Sequence, residues 1–285
     1  MDKQRLRAVL GAAVTDAPTP LDAADRLCAA CVDLLDVDGA SISFIDGGTM
    51  QGTFGSSGQL SRTLDELQFT YGQGPCLDAV AERRPILAPD LNGPGEDRWP
   101  TLTQAFLGHG IQAVFALPVA VASTPIGALD LFRHSSGPLD DVAMTGGVWA
   151  AGLAAMPLLD LMASNTDWEK AANGQGSWDQ LASLERVEVY QATGIIIAAL
   201  DISPADALVR LRAYAISRSL TASEVAYQIL SRRLVLDTTT GTTPAATTRA
   251  RHERPRRRHR RLVRVDGRQP GPGPRRQRAA HPARR

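Results

Sequence analysis

Six polar side chains gather in one stretch of this 285-residue chain: Arg186, Gln191, Arg210, Arg212, Tyr214 and Arg218. Guanidinium groups bind phosphate oxygens and stack on planar rings, and a tyrosine offers a stacking face to an unpaired base. The set therefore suits a nucleic-acid strand with exposed bases. The competing reading is a solvated helix face, on which arginines near a helix C-terminus are favoured by the macrodipole. Arg232 and Arg233 extend the same basic character further along the chain.

A second candidate is the string YGQGPC at 71–76. Gly72 and Gly74 permit close approach of backbone donors to an anion, and the residues after them read as a helix N-terminus. Tyr71, Gly72, Gly74 and Cys76 are thus candidate ligand contacts; the alternative is a purely structural turn. At a helix start Cys76 could have a lowered thiol pKa and sense redox state, or it could be an inert buried thiol. Cys28 and Cys31 spell a C-x-x-C, but they lie on an apolar helical stripe, and no second pair of Cys or His supplies the remaining ligands of a zinc site. Core packing is the better account, and no metal site is expected. His109 and His134 are isolated, and no P-loop, kinase motif set or G-x-S-x-G is present. Catalysis has no visible machinery.

The elements around the basic cluster announce themselves by their caps. Ser177 with Gln180, Ser203 with Asp206 and Thr221 with Glu224 each place a side-chain acceptor three residues before an acidic or amide partner, and Pro204 presets φ at a first helical position. Three helices are expected in succession. Their apolar stripes read Leu181, Leu184, Tyr190, Gly194 and Ile197, widened by Ile195 and Ile196; then Ala207, Leu208, Leu211 and Ala215; then Val225, Ala226, Ile229 and Leu230. Such a bundle is near the lower size limit for an independent core, so support from dimerisation or a leading coiled coil is expected.

QATG at 191–194, ALVRLRAYA at 207–215 and EVA at 224–226 together resemble the ANTAR family, whose members bind RNA and act in transcription antitermination. The likeness covers the whole three-helix unit in order. Many members carry a lysine just before the glycine, where this chain has Thr193. The resemblance implies RNA stem-loops as partners and raises the arginine and tyrosine set as RNA contacts.

The first half has a different texture. Leu21, Ala24, Cys28, Cys31 and Leu35 form a helical stripe, and ASISFID over 40–46 alternates as a half-buried strand. Further strands are expected over 51–55, 85–88, 113–121 and 126–133, the last two joined as a hairpin by a short Ala-Ser-Thr-Pro turn. Helices fit 76–82, 101–109 and 139 onward, with Pro157 ending or kinking the last. An antiparallel sheet with helices packed on it is an α+β domain. YGQGPCLDAV at 71–80, PILAPDL at 85–91, RWP at 98–100 and IGALDLFR at 126–133 resemble a GAF sensor domain of the kind that precedes ANTAR modules in actinobacteria.

Composition, 44% apolar and 21% charged, is that of globular protein, but the formal net charge of +1 hides an asymmetry. Fifteen of the 31 basic residues fall in 237–285 against three of the 30 acidic ones, leaving the body near −11 and the tail near +12. An Arg-, Pro-, Gly- and Thr-rich stretch cannot bury enough surface to offset its ordering entropy, so the tail is expected to be disordered. It could be a nucleic-acid arm, a passive extension, or a frameshift product. Lys3 and Lys170 are the only lysines, which suggests a GC-rich gene, and such DNA read out of frame yields Arg, Pro, Ala, Gly and His.

The expectation is a GAF-like α+β sensor domain over 20–160 after an N-terminal segment 1–19, a linker over 161–176, an all-α, three-helix ANTAR-like bundle over 177–236, and a disordered basic tail over 237–285. With no signal peptide or membrane span expected, and three cysteines that make no disulfide framework, a cytoplasmic regulator is expected. The function expected is signal-responsive RNA-binding antitermination by a homodimer, with a small-molecule ligand for the first domain. Two alternatives stay open: a cysteine-dependent, methionine sulfoxide reductase-like redox enzyme, and a dimeric protein-interaction module.

Overall fold

Small and branched residues alternating over 113–133 build the centre of the molecule. In the computed structural model, which describes residues 2–164, 186–236 and 243–244, β4 (Ala113–Val121) and β5 (Thr124–Arg133) pair antiparallel from Val121↔Thr124 onward. The turn is therefore Ala122 and Ser123, with Ala122 at φ 54°, tighter than the four-residue turn expected. β1 (Gly39–Asp46) pairs with β5, β2 (Thr49–Ser56) with β1, and β3 (Ile86–Ala88) with β4. The five-stranded sheet runs β2-β1-β5-β4-β3 and is antiparallel throughout.

Alternate residues along each strand enter different cores. Ala113, Phe115, Leu117, Leu129 and Leu131 face α1 (Lys3–Thr15), α2 (Pro20–Leu34) and α6 (Asp141–Ser164). Val114, Ala116, Ala128 and Phe132 face the other way, toward α3 (Gln59–Tyr71), α4 (Pro75–Glu82) and α5 (Pro100–Gly108). Period-two side-chain alternation produces this two-sided burial. α2 starts where Thr19 accepts from the Asp22 N–H, with Pro20 in the first turn, and buries Ala24, Cys28 and Cys31 as the stripe predicts.

Two helices escape the sequence reading. α1, lying in the expected N-terminal segment, buries only Leu6 and Leu10. α3 is hidden because its inward positions include Ser61, Asp65, Gln68 and Thr70 beside Leu64 and Phe69, so its apolar period is broken. Of the two outcomes expected at Pro157, the helix does not end there: α6 carries Pro157 in its interior and continues to Ser164. By length and composition alone Asp141–Met162 is long and apolar enough to cross a membrane, at mean hydropathy 1.6, a test that buried core helices also pass. Half of it is buried, with Ala150, Ala154, Leu158 and Leu161 in the core beneath the sheet.

The C-terminal helices are α7 (Val187–Leu200), α8 (Pro204–Ser217) and α9 (Ala222–Leu230), each in contact with the other two. Ser203 caps α8 by accepting from the Asp206 N–H, and Thr221 with Glu224 forms a full capping box on α9. The cap at Ser177 lies outside the described residues. α7 begins only at Val187, because Arg186 holds φ 42°, a left-handed conformation through which a helix cannot run. The stripe is reset accordingly. Val189, Ala192, Thr193 and Ile196 are buried, whereas Tyr190, Gly194 and Ile195, expected inward, are exposed. The stripes of α8 and α9 match expectation, with Ala207, Leu211 and Ala215, then Val225, Ala226 and Ile229, buried. Past α9, β6 (Leu234–Val235) pairs antiparallel with β7 (Thr243–Pro244). The rest of the expected tail lies outside the described residues.

Candidate functional site

α3 lies between the sheet and the C-terminal helices, and its side chains sort by spacing. Glu66, Phe69 and Thr70 recur at three and four residues and share one face, which meets α8 and α9. The Thr70 hydroxyl accepts the Ala222 N–H at 2.9 Å, and the Glu66 carboxylate accepts the Ser223 N–H at 3.3 Å. Both donors belong to the first turn of α9, where backbone N–H groups lack helical partners. Further over, the Tyr190 hydroxyl donates to Gln51 Oε1 at 3.3 Å. The helices and the N-terminal domain thus share one continuous core that includes Phe69, Leu211, Ala215 and Ala222.

Two arginines converge on the ring of Phe69. The guanidinium carbon of Arg186 lies 4.3 Å from the ring centroid and that of Arg212 lies 4.6 Å from it, within the range of a cation–π contact. Arg186 also pairs with Glu66 through Nη1 and lies 3.6 Å from Asp65 Oδ2 through Nη2, with its side chain only 8% exposed. Burial pushes its pKa down, opposed by Asp65 and Glu188. Arg212 presses against the α3 C-cap, where Gly72 adopts φ 63°, and a Cβ at Gly72 would stand 3.0 Å from Arg212 Nη1. The sequence-predicted ligand loop and one of the sequence-predicted RNA contacts therefore touch.

Asp65 is fully buried. Ser43 Oγ and Thr53 Oγ1 donate to its two oxygens, yet burial pushes its carboxyl pKa up, with Arg186 opposing the shift. Asp130 on β5 is also buried; Gln68 Nε2 donates to its Oδ2 while Oδ1 has no hydrogen-bond partner, and its pKa is driven well up by burial. Gln68 Oε1 in turn accepts the Cys76 N–H at 3.0 Å.

That last bond changes the reading of the 71–76 loop. The donor that an anion cradle would use is already occupied by Gln68. Gly74 holds φ 148°, and a Cβ there would meet Gln68 Oε1 at 2.4 Å and Leu102 at 2.9 Å, so the space beside it is filled. A recess of about 50 Å³, lined in part by Gly72, Phe69, Leu77 and Arg212, opens nearby. Tyr71 is half-buried at the loop's start. Cys76 is fully buried and burial drives its thiol pKa well up, opposite to an activated thiol. The larger polar cavity, about 370 Å³, lies instead between α3 and the C-terminal helices, lined by residues including Arg62, Glu66, Arg186, Thr221 and Glu224.

Of the six basic-cluster residues, Arg186 and Arg212 are seated against the N-terminal domain, with both guanidinium groups over the Phe69 ring. Gln191 and Arg218 are exposed, while Arg210 and Tyr214 are half-buried. The Arg218 guanidinium lies 5.8 Å from the Tyr214 ring centroid. Sequence reasoning missed Asp65, Glu66, Phe69, Thr70 and Asp130; the three- and four-residue spacing of Glu66, Phe69 and Thr70 was the available signal. Cys28, Cys31 and Cys76 are all buried free thiols, and among the described residues no three His, Cys, Asp or Glu side chains gather as a metal-holding group.

Residues 17–146 match the family described as GAF domain. Among solved structures, the chain is similar to the GAF domain of a phosphoenolpyruvate-protein phosphotransferase from Coxiella burnetii, at 17% identity and a TM-score of 0.48, covering 58% of this chain and 98% of that one. The corresponding Acinetobacter GAF domain aligns at 12% identity and 0.45, over 58% of this chain and 99% of that one. fRMsr of Staphylococcus aureus in its reduced form aligns at 14% and 0.41, over 55% and 95%. No curated protein matches. From the family match and the antiparallel sheet that these residues build, the segment 17–146 of this chain is a GAF domain.

Proposed function

We propose that this protein is a signal-responsive regulator in which the GAF domain controls an ANTAR-like bundle that binds stem-loops in nascent RNA and keeps a terminator from forming. The observation that carries the reading is the placement of the three motif runs. QATG falls on α7, ALVRLRAYA on α8 and EVA on α9, in the family's order, on three helices that pack on one another. Gln191, Arg210, Tyr214 and Arg218 supply the chemistry of phosphate contact and base stacking. In this reading the protein acts as a homodimer in the cytoplasm, where nascent RNA is made, and a small molecule or partner acts on the GAF domain.

The redox-enzyme alternative gains less support. Cys76 belongs to the core on one face of the sheet, while Cys28 and Cys31 belong to the core on the other. Desolvation holds Cys31 at about 12 and the other two thiols well above their ordinary value, which suits thiols that pack rather than attack.

The test is binding of stem-loop RNA against duplex DNA of the same stem sequence, over a series of salt concentrations, together with crosslinking of the protein to RNA in cells. Preference for the stem-loop at every salt concentration supports the reading. Equal, steeply salt-dependent binding of both would reduce the interaction to nonspecific charge neutralisation.

A further inference from the structure

We propose that α3 is an autoinhibitory decoy for RNA: it occupies Arg186 and Arg212 with the two kinds of group that a nucleotide would offer, an aromatic face and anionic oxygens. The proposal rests on the RNA-binding reading above and adds how that binding is controlled. Arg186 precedes α7 and Arg212 lies within α8, yet both guanidinium groups end over the Phe69 ring, at 4.3 and 4.6 Å from its centroid. Carboxylates of Glu66 and Asp65 take the place of phosphate oxygens beside Arg186. A guanidinium stacked on a ring and paired to an anion is the arrangement that binds an unpaired base and its backbone. RNA and α3 therefore compete for the same two side chains.

The latch is incompletely satisfied, which suits a contact meant to open. Arg186 Nε and Nη2 and Arg212 Nε are buried without a hydrogen-bond partner, although buried donors are nearly always paired. Arg186 also holds φ 42°, an unfavourable backbone conformation for a residue with a side chain. Two further bonds close the same face: the Ala222 N–H to Thr70 Oγ1 and the Ser223 N–H to Glu66. The opposite side of α3 is tied to the sheet by Asp65 with Ser43 and Thr53, and to the 71–76 loop by Gln68 with the Cys76 N–H. A shift of α3 in response to a signal in the GAF domain would loosen every latch contact together.

The experiment uses the full chain and two GAF-side variants, Glu66→Ala and Thr70→Val, neither in the proposed RNA-contact set; circular dichroism checks that each folds. Hydrogen exchange of the Ala222 and Ser223 amides reads the latch, and affinity for stem-loop RNA reads the consequence. Expected are faster exchange at both amides and tighter stem-loop binding than wild type, by roughly 5- to 150-fold, the range of ordinary allosteric couplings. Thr70→Val, nearly isosteric, carries the test if Glu66→Ala fails to fold. Faster exchange with unchanged stem-loop affinity would overturn the decoy while leaving RNA binding intact. Unchanged exchange in both folded variants would show that these contacts do not hold the helices. If the opened variants and the wild type alike bind no stem-loop, the RNA reading falls and the decoy falls with it.

Discussion

The Ala222 N–H donates to Thr70 Oγ1 at 2.9 Å across 152 residues of sequence, joining the first turn of α9 to the middle of the GAF domain. Around this bond Leu211, Ala215 and Phe69 are buried in one shared core. The two parts should therefore unfold together. Leu211→Ala removes a fully buried side chain and is expected to cost about 2–5 kcal/mol. In urea, the signal of buried Trp99 in the GAF domain and the far-ultraviolet helical signal should shift to the same lower midpoint. A lowered helical transition with Trp99 unchanged would show that the C-terminal helices fold apart from the GAF core.

Two glycines give opposite expectations. Gly74 holds φ 148° against Gln68 and Leu102, so Gly74→Val must displace packed side chains and strain the backbone, at a cost of about 1–3 kcal/mol. Gly194 lies inside α7 with nothing within 4 Å of the place an added methyl would take, so Gly194→Ala should stabilise the protein by about 0.5–1 kcal/mol through helix propensity. Chemical denaturation of both variants beside wild type reads the signs. A stabilised Gly74→Val would mean that the loop has room, and the ligand-cradle reading would regain its footing.

The same loop shows what the sequence could and could not reveal. The strands over 113–133 and the caps at Ser203 and Thr221 are legible because alternation and capping act locally. α3 is not, because Ser61, Asp65 and Gln68 occupy inward positions whose partners, such as Ser43 and Asp130, are distant in sequence. The phase of α7 escapes the sequence for a related reason. Periodicity assumes an unbroken helix, and the left-handed turn at Arg186 belongs with its contacts to Glu66 and Asp65, which no local pattern announces.

Asp130 sets a pH dependence. Its folded-state pKa is raised well above the ordinary carboxylate value by burial, so its protonated form is favoured in the folded protein. Its contribution is then fully present below the unfolded pKa near 3.8 and is lost as pH rises through the elevated folded value. Asp130→Asn keeps an acceptor for Gln68 Nε2 and removes the titration. Relative to wild type, the variant should gain stability progressively as pH rises from that window, measured as urea unfolding free energies at several pH values. Parallel curves for the two proteins would mean that Asp130 titrates alike in the folded and unfolded states.

The exposed side of the C-terminal helices carries the remaining prediction. Arg218 stands 5.8 Å from the Tyr214 ring centroid, so a base stacked on the tyrosine would find a cation beside it. If Arg218 neutralises a phosphate, Arg218→Ala should lower the slope of log affinity against log salt by about 0.7–0.9. Tyr214→Ala should instead weaken stem-loop binding by about 1–3 kcal/mol with the salt slope unchanged, because stacking releases no counterions. Leu211→Ala serves as the control for lost folding, since its side chain is fully buried. Filter binding over a salt series separates the two kinds of effect. Should Arg218→Ala and Tyr214→Ala both fold and bind stem-loops as wild type does at every salt concentration, the proposed RNA face is abandoned.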